Sequence, residues 1–258
     1  MTRGVSMTAF YLLAVTIGIV PAPLAAQTTS KAESYKGPDF DITAASVEYI
    51  ADLDVLVFEQ RTAGTAGRTV PTPNGTLDGA PVLGYVFPTS LTPDAVGFGS
   101  TTGIVALAAT AHPDFDDTPL WDENGDGNYG NDGVRWHTHW VVLVEDARVP
   151  GKLSVREFQK TDAVVLPPTN PGMPMYMDSP GFPVITKDAA IRVVVPASRI
   201  RFGSGEPAFT FDAVTCYMRV SAPAKGHAGS AALPMLGVHE VFDVLSGDLS
   251  LPYTVKRR

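Results

Sequence analysis

The stretch WHTHWVVLV, residues 136–144, has the pattern of a β-strand with neighbours on both sides. Successive side chains of a strand point to opposite faces. One face therefore carries His137, His139, Val141 and Leu143. The other carries Trp136, Thr138, Trp140, Val142 and Val144. Because both faces become apolar toward the C-terminal end, we expect a central strand in a β-rich fold.

Eight further β-branched segments alternate with turns rich in Pro, Gly, Asn and Asp, as is typical of strands. They span residues 40–50, 55–61, 81–87, 103–109, 152–158, 190–196, 209–220 and 239–245. No stretch has the period of a long helix. About nine strands and long loops predict an all-β fold, an antiparallel β-sandwich or a distorted barrel. We expect one domain over residues 39–255, after a flexible lead-in at 27–38.

Two of these segments resemble parts of known sandwich domains. The segments are DLDVLVFEQRT (52–62) and FDAVTCYMRVSAP (211–223), and they are similar to DOMON and carbohydrate-binding domains. The resemblance implies binding of a ligand such as a sugar or haem, with His or Met as haem ligands.

Residues 1–26 have the layout of a secretory signal peptide. Arg3 gives a basic start, residues 9–20 (AFYLLAVTIGIV) are largely apolar, and PAPLAAQ offers a cleavage site after Ala26. The apolar run of about 12 residues is shorter than the roughly 20 that span a bilayer. We expect a periplasmic or secreted protein with no membrane-spanning segment after cleavage; a retained N-terminal anchor is the alternative. The single cysteine, Cys216, excludes an intramolecular disulfide and is expected to be a buried thiol.

Acidic residues are concentrated in one part of the chain. The chain expected after cleavage has 18 basic and 27 acidic residues, a net charge of −9. Residues 69–134 contain nine acids and no Lys or Arg, so this segment alone carries −9. Such a charge argues against nucleic-acid or anionic-membrane partners. A bound cation would offset the repulsion, as would exposure to salt solution.

The segment from Asp122 to Gly127 (DENGDG) resembles the first half of the calcium loops of EF-hands and dockerins. The resemblance implies a calcium ion held by Asp122, Asn124, Asp126 and the backbone carbonyl of Asn128. The loop departs from the family at its twelfth position, which is Gly133 instead of Glu. Asp132 could complete the shell, as could Asp114, Asp116 and Asp117. The alternative is a solvated Asp/Asn/Gly turn that needs no ion.

His137 and His139 project from the same face and can chelate one transition metal such as zinc, copper or iron. The third-ligand candidates are His239, on a predicted strand, His112 and His227. Trp136 and Trp140 would then supply apolar surroundings. The alternative is a hydrogen-bonded pair without metal.

Two resemblances accompany this strand, each covering about ten residues. His-x-His-Trp is similar to α-type carbonic anhydrases, and His-x-His followed by Glu145 is similar to the cupin motif. Neither match is long enough to transfer a function.

Three methionines, Met173, Met175 and Met177, indicate either packing at an open end of the fold or a soft Cu(I) site. Trp121 and Tyr129 flank the acidic loop and could stack on a sugar ring. The sequence favours an exported metal-binding protein with a small-molecule or carbohydrate ligand. A metal-dependent enzyme centred on the histidine strand and a sugar-binding module with structural calcium are the alternatives.

Overall fold

The computed structural model of the protein describes Met1 and residues 31–118, 120–159, 161–203, 205–222 and 233–258. Strands make up 38% and helix 6% of the described residues, and the sheets are antiparallel apart from one short parallel pair. The predicted all-β class is therefore confirmed. The predicted signal peptide, apart from Met1, and His227 lie outside the described residues.

Fourteen strands are present within the described residues. Their bounds are β1 Ile42–Ile50, β2 Val55–Thr62, β3 Pro81–Pro88, β4 Ile104–Ala111, β5 His137–Glu145, β6 Leu153–Val155, β7 Met177–Asp178, β8 Val184–Lys187, β9 Ala190–Pro196, β10 Thr210–Phe211, β11 Val214–Val220, β12 Leu236–Val244, β13 Tyr253–Thr254 and β14 Lys256–Arg257. Short 3-10 helices span Ala51–Leu53, Pro93–Val96 and Ala197–Arg199.

Six strands close into a barrel in the order β4-β3-β11-β12-β6-β5, with β5 paired back to β4. The edge of β5 that does not pair with β4 is shared by two short strands, β6 and β7. β6 meets β12 at the single pair Ser154 and Gly237. The interior is a cluster of buried aliphatic side chains, methionines and Cys216.

A five-stranded sheet, in the order β14-β1-β2-β9-β8, covers one side of the barrel. Its inner face and the outer face of β3, β4 and β5 form one continuous apolar core. Phe58 of β2 is central to it, with ring centroids 5.3 Å from Phe87 of β3 and 6.4 Å from Trp140 of β5. β5 is thus buried on both faces, as WHTHWVVLV predicts.

Of the two architectures expected from the sequence, the structure has a barrel, closed and with a sheet packed against it, in place of the sandwich. The strand segments are local features, whereas closure depends on pairing between β4 and β5, whose strands are separated by a long loop. Part of the expected flexible lead-in is packed, since Ala32 and Tyr35 lie in the core between barrel and sheet. No helix among the described residues is long and apolar enough to cross a membrane.

Candidate metal centre

Three histidines and one aspartate meet inside one end of the barrel. Strand pairing places His137 opposite Thr110 and His139 opposite Ala108, and His112 follows directly after β4. Alternation turns His137, His139 and His112 inward. Asp117 reaches the same place from the loop after β4. All four residues are at least 94% buried.

The facing atoms are close enough to share one ion. Asp117 Oδ1 lies 3.1 Å from His112 Nε2, 3.2 Å from His137 Nε2 and 3.5 Å from His139 Nε2. The Nε2 atoms of His112 and His137 are 2.8 Å apart. Ligand atoms bound at about 2.0–2.2 Å from one ion lie roughly 3–3.5 Å from each other. These four separations lie within a few tenths of an ångström of that range, and all four ligand atoms lie within 4.8 Å of one another.

The outer nitrogen of each ring faces an oxygen atom. Nδ1 of His112 lies 2.9 Å from the carbonyl oxygen of Phe115, and Nδ1 of His137 lies 2.8 Å from that of Arg135. Carbonyl oxygens only accept hydrogen bonds, so both Nδ1 atoms carry the hydrogen. Nδ1 of His139 lies 3.0 Å from Ser179 Oγ, whose own hydrogen is donated to the carbonyl of Asp117. Such outer contacts orient metal-binding imidazoles.

These contacts leave acceptors facing one another. When all three imidazoles are neutral, with their hydrogen on Nδ1, three Nε2 lone pairs point toward the carboxylate of Asp117. Asp117 Oδ1 and His139 Nε2 are buried without a hydrogen-bond partner. An unsatisfied buried polar group costs about 1–3 kcal/mol. A cation at the common point would satisfy all four atoms at once, so the donor set fits a metal ion.

Charge inside the cluster is unevenly distributed. Burial lowers the pKa of His137, but the adjacent carboxylates of Asp117 and Glu123 outweigh this effect and raise the pKa to about 10. Burial lowers the pKa of His139 to about 4. Burial also opposes ionisation of Asp117, yet the neighbouring His139 and His112 hold its pKa well below the ordinary value. Without metal, one proton on His137 therefore accompanies the Asp117 carboxylate.

Imidazole and carboxylate donors suit zinc, iron and copper. Tetrahedral zinc would be saturated by the four protein ligands. A five- or six-coordinate ion such as Fe(II) would keep open positions.

The acidic loop contributes Glu123 to this centre. Its Oε1 lies 2.7 Å from Nδ1 of His137, and its Oε2 accepts a hydrogen bond of 2.8 Å from the backbone of Gly133. Asp132 Oδ1 in turn accepts hydrogen bonds from the backbone of Glu123 and Asn124. Glu123 was not a sequence candidate, because its position in the calcium-type pattern is one whose side chain is unspecified.

The calcium-type residues form turns within their own loop. Asp122 accepts hydrogen bonds from the backbone of Gly125, Asp126 and Gly127, and Asn124 Oδ1 accepts one from Asp126. Asn128 Oδ1 accepts one from Gly130. Asp132 Oδ2 is buried without a partner. Calcium binding by this loop stays a prediction. The upstream acids have other contacts. Asp114 accepts hydrogen bonds from the backbone of Asn74 and Gly75, and Asp116 accepts one from the backbone of Thr118. Asp117 belongs to the histidine cluster.

His239 is not among the grouped ligands; the third histidine is His112. β12 turns Val238 into the barrel, while His239 packs at 6.4 Å from Tyr217 in the outer core. The predicted role of Trp136 and Trp140 beside the metal is also wrong. Trp140 faces the packed sheet and Trp136 packs on Tyr85 at 4.9 Å, since both lie on the face opposite the histidines. Phe115 stacks on His112 instead, at 4.1 Å.

The remaining sequence candidates have other surroundings. Glu145, the acid of the cupin-like pattern, is exposed at the far end of β5, and Asp117 supplies the carboxylate. Met175 and Met177 are buried in the barrel interior and Met173 packs against it, which agrees with a packing role. Cys216 is buried there too, and burial raises the pKa of its thiol to about 12. Trp121 and Tyr129 are 49% and 56% exposed, and sugar binding by them stays a prediction.

No protein-family model, curated protein or solved structure matches this chain.

Proposed function

We propose that this protein binds one divalent transition-metal ion through Nε2 of His112, His137 and His139 and Oδ1 of Asp117. The observation that carries the proposal is the inward convergence of four buried acceptor atoms, two of them without any hydrogen-bond partner. Structural hydrogen-bond networks pair donors with acceptors; a metal site gathers acceptors around a cation. The secretory pattern of residues 1–26 supports placing this centre outside the cytoplasm.

The test is elemental analysis of the full chain, exported by its own signal and purified without chelator or affinity metal. We expect about one equivalent of zinc, iron or copper per chain. His139→Ala should lose the metal, because it removes one of four ligands. His239→Ala is the matched control, since it removes a buried imidazole on the outer side of the barrel wall, and it should retain the metal. Metal-free wild-type protein that also fails to bind these ions on reconstitution would contradict the proposal, as would full retention in His139→Ala.

A catalytic centre is the second candidate function, and one observation favours it. His112, Asp117 and His139 lie in the wall of a cavity that occupies the barrel interior. An ion with open coordination positions would therefore be accessible to a small molecule. Metals activate bound water or polarise oxygen groups in such positions. A structural metal has no need of a neighbouring cavity.

A further inference from the structure

The cavity beside the cluster has two chemically different regions. Its polar residues are confined to the cluster end and are Thr110, His112, Asp117 and His139. Every other described residue that lines it is apolar. Neither Lys nor Arg is among the described residues that line it. A ligand would therefore meet polar and charged groups only at the metal end.

Methionines dominate one part of the apolar wall. All five methionines after Met7 line this cavity: Met173, Met175, Met177, Met218 and Met235. Methionine is unbranched and polarisable, so its side chain adapts to an irregular apolar surface. Such surfaces occur where proteins bind apolar ligands of variable shape. The seam between β12 and β6, next to Met235, has a single paired position.

The cavity extends along the barrel away from the cluster. Ile104 and Leu143, which pair with each other, line it several residues beyond the pair Ala108 and His139. Ile104 is 36% exposed, and Leu249 and Leu251 line the same region. The cavity volume is about 60 Å³. One water needs roughly 10–15 Å³, so the space suits a molecule of several non-hydrogen atoms.

We infer that the barrel binds a small, mainly apolar molecule with one oxygen-bearing head group. The head lies at the His/Asp cluster and the hydrocarbon body lies among the methionines. The placement of the head rests on the proposed metal function. Apart from the Thr110 hydroxyl, the side chains at that end are the metal ligands, whose Nε2 and carboxylate oxygen atoms are acceptors, and a metal ion binds an oxygen lone pair directly. The body requires only the apolar wall. A second polar group on the ligand would be buried without a partner, at a cost of about 1–3 kcal/mol.

The test uses the full chain labelled with ¹³C at its methionine methyl groups, with 1-hexanol as the probe. The chain is loaded with cadmium, a diamagnetic ion that accepts a fifth or sixth ligand beyond the four protein groups. We expect saturable shifts of the signals from the five cavity methionines. 1,6-Hexanediol has the same carbon chain with a hydroxyl at each end. The diol should bind about tenfold or more weakly than hexanol, which corresponds to the lower part of the cost of burying its second hydroxyl without a partner. Val241→Phe adds a ring to the cavity wall at a partly buried position away from the metal ligands, and should weaken hexanol binding by a similar factor.

Metal content is measured on every sample, so that failure of each proposal can be told apart. Retained metal without any saturable methionine shift would overturn the ligand inference and leave the metal site standing. Equal binding of hexanol and hexanediol, or unchanged binding in Val241→Phe with retained metal, would also overturn it. Equal hexanol affinity with and without bound metal would overturn the placement of the head at the cluster. Stronger hexanol binding in the metal-loaded protein supports that placement.

Discussion

The carboxylate of Glu123 lies 2.7 Å from Nδ1 of His137, which connects the acidic loop directly to the candidate metal centre. Glu123 Oε2 is held by the backbone N–H of Gly133, whereas Nδ1 of His137 directs its hydrogen to the Arg135 carbonyl, so Glu123 acts on the imidazole through its charge. A carboxylate on the outer nitrogen of a ligating imidazole fixes its orientation and increases its basicity. The acidic loop therefore positions a metal ligand whether or not it also binds calcium.

Glu123→Gln should weaken transition-metal binding about 10- to 100-fold, the usual effect of losing such an outer contact. The amide keeps the size of the side chain but removes the charge that faces His137. Competition with a chromophoric chelator measures the affinity. Asp126→Asn is the control, because Asp126 is an acid of the same loop whose contacts are with Asn128 and Asn131. Equal losses in both variants would mean that general loop charge, rather than the contact to His137, sets the affinity.

Metal binding should strengthen as the pH rises. His137 is protonated in the metal-free protein up to its pKa of about 10, and a ligand must lose this proton to bind. One displaced proton gives about a tenfold gain in apparent affinity per pH unit below that pKa. Calorimetric titrations with zinc in buffers of different ionisation enthalpy count the released protons. Zinc uptake without proton release between pH 6 and 8 would show that His137 is already neutral.

Gly133→Ala should damage both stability and metal binding. Gly133 has φ +103, and an added Cβ would press against the carbonyl oxygens of Phe115 and His112 and lie 2.9 Å from His112 Nδ1. We expect a loss of about 2 kcal/mol or more in the free energy of unfolding, from strain and overpacking. Gly125 also has a positive φ, but a Cβ added there faces open space. Gly125→Ala should therefore lower the free energy of unfolding by only about 1 kcal/mol and leave metal affinity unchanged. Urea unfolding with metal titration compares the two.

The calcium prediction has its own test. Replacing both Asp122 and Asp126 by Asn should lower the melting temperature in calcium but not in chelator. The reason is that the two carboxylates stabilise the folded state only through a bound calcium ion. Thermal unfolding in the two buffers gives the comparison. Equal shifts in both would remove calcium from the loop. Loss of the transition metal together with calcium would show that the two sites are one.

His239 should make stability fall in mild acid. Burial, with a smaller effect from Arg219, lowers its pKa from 6.5 to about 4. The neutral form is therefore favoured in the folded state. The folded state keeps its full stability with respect to His239 above pH 6.5. As the pH falls toward 4, the free energy of unfolding drops by on the order of 2–3 kcal/mol, because the unfolded chain takes up a proton at this residue first. His239→Leu should show a smaller loss of unfolding free energy between pH 6.5 and 4 than the wild type. Identical pH profiles would show that His239 does not titrate in this range.

The strand positions were largely determined by local sequence. Each of the nine predicted segments overlaps an observed strand, because side-chain alternation and turn residues act over a few positions. The same alternation placed His137 and His139 on one face. The short strands β7, β8, β13 and β14 escaped prediction, since two to four residues show no clear period. The 209–220 segment was predicted as one strand, and in the structure β10 and β11 divide it.

Tertiary structure alone decided how the strands close and which side chains meet. Pairing of β4 with β5 brings His112 to His137 across a long loop, and the return of that loop adds Asp117 and Glu123. Loop geometry depends on contacts distant in sequence, so no local pattern distinguished Asp117 from the neighbouring acids. His239 lies on a well-formed strand, yet β12 turns it away from the interior. The sequence determined two ligands through their period, and barrel closure supplied the other two through long-range pairing.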